Sequence, residues 1–501
     1  MSSVIKLKLL GQSVWYDNVD RSLIENGTLK NWIEKREILG LTSNPTIFAK
    51  AITTAKNYDT DLQTMSWAGL SSRDMFYKLA IEDIQNVADL LRPYFDSTGG
   101  LDGLVCLEVD PYLAYDTEDT IEEAKWLWKE VNRPNLMVKI PGTKEGLPAV
   151  TEAIAEGINV NVTLIFSMER YAEVMNAYMA GLEKRLEKGE DISQIASVAS
   201  FFVSRLESKA DGRLQSLIDE GGEKAEKAKA LKGKIAVANT RLAYRLFEQY
   251  FSSDRFKKLE KAGAQKQRPL WASTGTKDLA YSDIKYVEEL VADHSVNTLP
   301  PATLDAFLDH GDPKLTIHDD LDKAEKNLEE LEDLGISLDE ITQELEDEGV
   351  QSFLNAFKDL MVSIETRRKA FRKELGSLKD AVPTQVKTSL ADNLVGRMYR
   401  NDPTIWSDLP EGKAEIQKRL GWLYLPSQSK ALIPDLNAFA EECRADGLEK
   451  VLLLGMGGSS LAPETMYAIL GQHLEGMELV ILDATVPEQV RAAEAWADFD
   501  K

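Results

Sequence analysis

Positive charge, sulfur and histidine are all scarce in this chain of 501 residues. Lys and Arg number 59 against 83 Asp and Glu, a formal net charge of −24. That balance argues against a nucleic-acid-binding surface, which needs a basic face, and against docking on an anionic membrane. An anionic substrate would have to be met by a few cations gathered at one place. The two cysteines, Cys106 and Cys443, lie far apart and suggest no disulfide framework, which fits a reducing, cytoplasmic setting. The four histidines, His294, His310, His318 and His473, show no paired metal-ligand spacing. No zinc or iron site and no cofactor is therefore expected. No apolar run approaches the length of a membrane span. The start, MSSVIKLKLLGQSVWYD, lacks the apolar core and cleavage site of a secretory signal. Nothing in the pattern specifies an oligomeric state.

What is present is an ordinary globular composition, 43% hydrophobic and 28% charged, in a repeating arrangement. Short apolar runs alternate with helical patterns such as Ile121 to Val131 and Glu169 to Lys188. The runs are Val14–Tyr16, Leu39–Thr42, Leu104–Leu107, Leu136–Ile140, Ile158–Thr163, Ala196–Ser200, Leu270–Ser273 and His294–Asn297. Strands alternating with helices imply an α/β fold with a parallel sheet. Eight of them in about 300 residues imply a closed (β/α)8 TIM barrel. Polar residues stand at or near the C-terminal ends of these runs: Asp17, Asn44, Glu108, Lys139, Asn161, Thr163, Ser200 and Ser273. In such a barrel those ends form the active-site face. Each alone reads equally as a helix cap or turn residue. The shared habit of these eight residues points to a site.

Lys139 is the most informative of them. It sits in Leu136-Met137-Val138-Lys139-Ile140-Pro141, an apolar run that leaves an ammonium few ways to stay solvated. Desolvation favours the neutral amine, which can attack a carbonyl and form a Schiff base. The competing reading is a lysine that snorkels from a strand edge to water.

From His310 to Lys373 the pattern is helical and acidic. Val350, Phe353, Leu354, Phe357, Leu360 and Met361 recur at helical spacing and read as an amphipathic helix packed on the barrel. The charges there read as its solvated face. A boundary falls near Gly376 to Pro383, giving expected domains of 1–374 and 375–501. In the second, Val451–Leu454 runs into a turn of Gly455, Gly457, Gly458, Ser459 and Ser460. A helical pattern from Ala462 to Leu474 and a second strand, Leu479–Leu482, follow. This reads as a βαβ unit whose first turn offers N–H groups to phosphate, although tight turns use glycine anyway.

Two stretches carry a resemblance to a known family. Gly40-Leu-Thr-Ser-Asn44-Pro-Thr-Ile-Phe48 resembles the first signature of the transaldolases. Leu136 to Val150 resembles the second, which holds the Schiff-base lysine. The resemblance runs from about residue 10 to about 372. It implies a class I aldolase-type barrel in the pentose phosphate pathway. The implied reaction moves a dihydroxyacetone unit from sedoheptulose 7-phosphate to glyceraldehyde 3-phosphate, giving erythrose 4-phosphate and fructose 6-phosphate. It implies Lys139 as nucleophile, with Asp17, Glu108 and Thr163 as its acid–base partners. Asn44, Asn161 and Ser200 would hold hydroxyls, and Arg205 and Ser273 the phosphate. Some relatives place an arginine two residues after that serine; here the position is Gly275, and Lys277 is the candidate replacement. Related aldolases that release free dihydroxyacetone carry a tyrosine where this chain has Phe202, which favours transfer. A simple aldolase and a non-catalytic sugar-phosphate sensor are the alternatives.

Residues from about 375 to 501 resemble the start of glucose-6-phosphate isomerase, with Leu454 to Glu464 like its sugar-phosphate turn. The whole chain thus resembles a truncated bifunctional fusion. Its incomplete doubly wound second part is expected to be inactive.

Overall fold

The computed structural model describes residues 2–471 and 477–497, and the chain divides into two compact units, residues 1–385 and 386–501. In the first, short aliphatic and β-branched runs are buried on both faces, as a sheet covered inside and out requires. They form β1 (Gln12–Tyr16), β2 (Gly40–Leu41), β3 (Leu104–Glu108), β4 (Leu136–Pro141), β5 (Val160–Ile165), β6 (Ser197–Phe202), β7 (Arg268–Ala272) and β8 (Ser295–Leu299). Each pairs in parallel with the next, and β8 pairs with β1, closing a (β/α)8 barrel. Residues 158–163 alternate apolar and polar in period two, yet this marks no solvent-exposed face, because all six positions of β5 are buried. β8 starts one residue after His294, which takes a left-handed turn at φ 50°.

Close packing fixes β2 against β1. A Cβ at Gly40 would lie 2.5 Å from the Trp15 ring, so this position excludes every side chain. At the opposite end from the strand C-termini, a polar cluster closes the floor. Asp102 accepts hydrogen bonds from Ser13 Oγ, from Trp15 Nε1 at 2.9 Å and from Arg268 Nη2 at 3.2 Å. Arg268 Nη1 also donates to Ser13 Oγ at 2.9 Å. This network ties β1 and β7 to the segment before β3. The acidic region expected to pack on the barrel forms the helix Leu338–Glu374, which buries Val350, Phe353, Phe357, Leu360 and Ile364.

In the second unit, β9 (Lys450–Leu454) and β10 (Glu478–Leu482) pair in parallel, with the helix Gly458–Leu470 between them. The described residues there give one two-stranded sheet rather than a doubly wound one. Leu474 and His473 lie outside the described residues, as does the Ser459 side chain. Gly455 and Gly457 lie in the turn, whereas Gly458 and Ser460 belong to the first helical turn. The Ser460 hydroxyl folds back on Gly457, donating to its carbonyl at 2.8 Å and accepting from its N–H at 3.3 Å. That N–H of the phosphate-type turn therefore already has a partner within the turn. Leu454, Met456, Leu461 and Ile469 are exposed.

The floor network makes a stability prediction. Removing one partner of a buried ion pair strands the other charge. Asp102→Ala should destabilise the barrel by about 3 kcal/mol. Urea unfolding followed by the emission of buried Trp15 and Trp271 checks this; an unchanged midpoint would show that Arg268 is satisfied without Asp102.

Candidate active site

Barrel closure sets the site. Register pairs Glu108, the last residue of β3, directly with Lys139 of β4. Both are almost fully enclosed, at 7% and 4% exposure. Lys139 Nζ lies 3.2 Å from Glu108 Oε2, an ion-pair distance without hydrogen-bond alignment, and donates to the Ser43 carbonyl at 3.2 Å. Burial raises the Glu108 pKa, and Lys139 opposes that rise. Glu108 Oε1 and the hydroxyl of Thr163 are both buried without a protein hydrogen-bond partner.

Thr163 faces the barrel interior two residues beyond Asn161, in register with Pro141 of β4, and β5 becomes irregular just past it. The pairing with β6 shifts between Val162 and Ile165, and Leu164 takes φ 60°. Such left-handed strain in a non-glycine residue is characteristic of functional sites. Ser273, just after β7, is held similarly at φ 55°, and its hydroxyl lies 2.9 Å from that of Ser204.

Asp17 follows β1 and is half-buried at the mouth. Thr42 donates to its Oδ1 at 2.7 Å. Burial raises the Asp17 pKa, while the Thr42 hydrogen bond, Lys139 and Arg205 pull it down. Asn44 is the N-cap of the helix Pro45–Thr54, with Oδ1 accepting from Ile47 N–H at 3.0 Å. Its capping role and its place at the cavity coexist.

A cavity of about 360 Å³ gathers most of the expected residues. Its lining includes Asp17, Asn44, Lys139, Thr163, Ser200, Phe202, Arg205, Ser273 and Lys277. Two expected lining residues are instead set back. Glu108 stands behind Lys139, against a small apolar space beside Phe76 and Phe357. Asn161 lies in the barrel interior, donating to Cys106 Sγ at 3.3 Å and accepting from Ser200 Oγ at 2.7 Å. Its contacts are with protein because β5 aims it into the barrel rather than toward the mouth. The Cys106 thiol is pushed up to about 12 by burial and is inert as a nucleophile. A larger groove, about 660 Å³, runs past Lys232, Arg241 and Asp319 and holds none of the strand-end residues.

Arg205 begins the helix Ser204–Glu220 and makes no hydrogen bond or ion pair with another described residue. Its guanidinium lies over the Phe202 ring at 5.2 Å. Lys277 is also unpaired among the described residues, and burial and the nearby Arg205 charge lower its pKa. Neither cation is within ion-pair distance of a carboxylate among the described residues, although the charges of Asp17 and Glu108 act on Arg205. Among the described residues no group of His, Cys, Asp and Glu is arranged to hold a metal ion. Among them also, no helix is long and apolar enough to cross a membrane.

Comparison with known proteins agrees with this geometry. The sequence model of the family described as transaldolase/fructose-6-phosphate aldolase matches residues 14–364. The chain belongs to that family. It is 48% identical over 367 residues to transaldolase 2 of Streptomyces coelicolor, covering 73% of this chain and 97% of that protein. It is 49% identical over 361 residues to the transaldolase of Thermobifida fusca, with 72% and 96% covered. Transaldolase 2 of a Nostoc species is 44% identical over 374 residues, with 74% and 98% covered. The chain is thus an enzyme of the transaldolase kind, and the family match ends before the second unit.

Three neighbours of this transaldolase-type site were not singled out in the sequence. Thr42 and Ser43 stand inside the first signature, beside Asn44, and were legible there as polar strand-end residues. Phe353 also lines the cavity, but its helical spacing gives only a packing signal.

The helix bearing Arg205 is anchored by Glu207. Its Oε1 accepts from the N–H groups of Ile235 and Ala236 at 3.1 and 3.3 Å, and Oε2 faces Lys285 Nζ at 3.4 Å. Burial raises its pKa from 4.5 to about 7, outweighing the pull of Lys285. The folded state therefore binds this proton more tightly than the unfolded chain. Its contribution to stability is full below pH 4.5 and is lost as pH rises to about 7. Glu207→Gln should flatten that part of the stability–pH curve, measured by denaturant melts across the window. An unaltered slope would exclude Glu207 as its source.

Proposed function

We propose that the barrel transfers a dihydroxyacetone unit between ketose and aldose phosphates through a Schiff base on Lys139. The observation that carries this reading is a nearly buried lysine, paired with a carboxylate, opening onto a cavity that also holds unpaired cations.

The chemistry follows from the groups present. Glu108, with its raised pKa, accepts the lysine proton and leaves a neutral amine. The amine attacks C2 of the ketose. Loss of water from the resulting carbinolamine needs a proton delivered at its oxygen. Glu108 and Thr163 supply it, through a water held by their otherwise unpartnered oxygens. The protonated imine then accepts the electron pair of the C3–C4 bond while Asp17 removes the C4 hydroxyl proton. An aldose phosphate leaves, an acceptor aldehyde takes its place, and the steps run in reverse. Ser200 and Asn44 hold substrate hydroxyls, and Asn161 fixes the Ser200 side chain. Arg205, Ser273 and Lys277 take the phosphate, with Lys277 standing in for the arginine that some relatives carry near this place. The physiological pair is read as sedoheptulose 7-phosphate and glyceraldehyde 3-phosphate, in a cytoplasmic pentose phosphate pathway.

Phe202 favours transfer over simple cleavage, since no phenol is present there to protonate the bound intermediate. For the second unit, the reading is an isomerase-like segment without isomerase activity in this chain. The self-bonded Gly457–Ser460 turn and the single strand pair support it.

Three measurements test these assignments. Fructose 6-phosphate should be consumed rapidly with erythrose 4-phosphate present and only slowly without it; equal rates would make the enzyme an aldolase. Arg205→Ala should raise the KM for phosphorylated ketoses by roughly tenfold or more, the loss of a charge-assisted contact. The KM for free dihydroxyacetone should stay nearly unchanged. Equal effects on both would give Arg205 a structural role. Glucose 6-phosphate should not be isomerised, and turnover above background would overturn the reading of the second unit.

A further inference from the structure

The helix Leu338–Glu374 comes closer to the reaction centre than packing requires. A Cβ built at Gly349 would lie 2.9 Å from Leu164 Cδ2 and 3.8 Å from Arg205 Nη1. The helix backbone therefore rests on the strained Leu164 of β5, beside the phosphate cation. One turn later, on the same face, comes Phe353. It is 3% exposed and lines the cavity with Lys139, Thr163 and Ser200. Its ring centre lies 5.6 Å from Lys139 Nζ. The next aromatic on this face, Phe357, packs instead on Phe76 and Tyr112. Among the described residues Phe353 stacks on no other ring.

We propose that Phe353 roofs the Schiff-base nitrogen and sets how the carbon nucleophile on Lys139 is shared between an acceptor aldehyde and water. This rests on the Schiff-base reading above. After C3–C4 cleavage the C2–C3 fragment is an enamine on Lys139. In transfer, its C3 electron pair forms a bond to the aldehyde carbon, the nitrogen lone pair restores C=N, and the aldehyde oxygen takes a proton. In the competing path C3 takes a proton instead. Water then adds to C2, the C–N bond breaks, and dihydroxyacetone and the free amine result. The net cost of that path is one water, with no change in oxidation state.

The ring acts on both branches. Its face attracts the positive nitrogen that each imine step requires. Its apolar bulk occupies space from which water would otherwise reach C2 and C3. Gly349 is the enabling position, since a side chain there would have to displace the buried end of Leu164 or shift the helix and the ring with it. Arg205 and Lys277, which line the same cavity, would meet the phosphate of an entering acceptor.

The test uses the full chain and the variants Phe353→Ala, Phe353→Leu and Gly349→Ala. Free dihydroxyacetone release from fructose 6-phosphate is measured without acceptor, and transfer is measured with erythrose 4-phosphate. Both are read at saturating ketose. The ratio of release to transfer should rise by roughly tenfold in Phe353→Ala and Gly349→Ala, the factor for a barrier change of about 1.4 kcal/mol. Phe353→Leu, which keeps most of the buried volume, should give a smaller rise and carries the test should the alanine variant not fold. Borohydride inactivation in the presence of fructose 6-phosphate should persist in every folded variant. An unchanged ratio in folded variants would overturn the proposal and leave Phe353 a packing residue. Failure of borohydride to inactivate the unsubstituted chain would instead overturn the Schiff-base reading, and this proposal with it.

Discussion

An ammonium group inside a β-barrel needs a counter-charge, and in this molecule the counter-charge sits on the neighbouring strand. The Lys139–Glu108 pair exists because β3 and β4 meet in a register that places the two residues side by side. Taking both charges out of water costs several kcal/mol per ion before any attraction is counted. The pair is therefore tolerated only where surrounding groups fix it, here the Ser43 carbonyl below and the Phe353 ring above. Burial raises the pKa of the carboxyl, and Lys139 opposes that rise. In the proposed mechanism, transfer of one proton within this pair gives a nucleophile with an acid beside it.

The rest of the first unit serves that placement. Gly40 lets β1 and β2 meet over the Trp15 ring, and the Asp102–Arg268 network closes the end of the barrel away from the reaction. β5 keeps register with β4 through Thr163, which puts Thr163 on the same inward face as Asn161, the partner of Lys139 in that register. Net charge adds a further constraint. At −24 the molecule repels sugar phosphates at long range, so attraction must be local. The proposed source is Arg205 and Lys277, unpaired among the described residues; Arg205 rests on an aromatic face rather than a carboxylate, which leaves its donors free.

The barrel was legible because its strands are short apolar runs ending in polar residues, a pattern that survives without knowledge of pairing. Lys139 was legible for the same reason: a charge in an apolar run is conspicuous. The depth of each polar residue was not legible. The period-two spacing of Asn161 and Thr163 puts them on one face but could not show that Asn161 supports Ser200 from within while Thr163 lines the cavity, because depth along the closed barrel is a tertiary property. Phe353 was hidden more completely. Its spacing is that of any core-facing helix, and only the packed fold shows that the core beneath it is the reactive nitrogen. In the second unit the βαβ pattern was readable, but the turn's closure by Ser460 on Gly457 depends on side-chain geometry that a glycine count does not contain.

The central claim is that Lys139 carries the substrate. The most direct measurement is borohydride reduction of the chain with fructose 6-phosphate, followed by proteolysis and mass spectrometry of the lysine-containing peptides. One reduced three-carbon adduct should appear, on the peptide containing Leu136 to Pro141, and it should be lost in Lys139→Ala. An adduct on any other lysine, or labelling that survives Lys139→Ala, would contradict that claim.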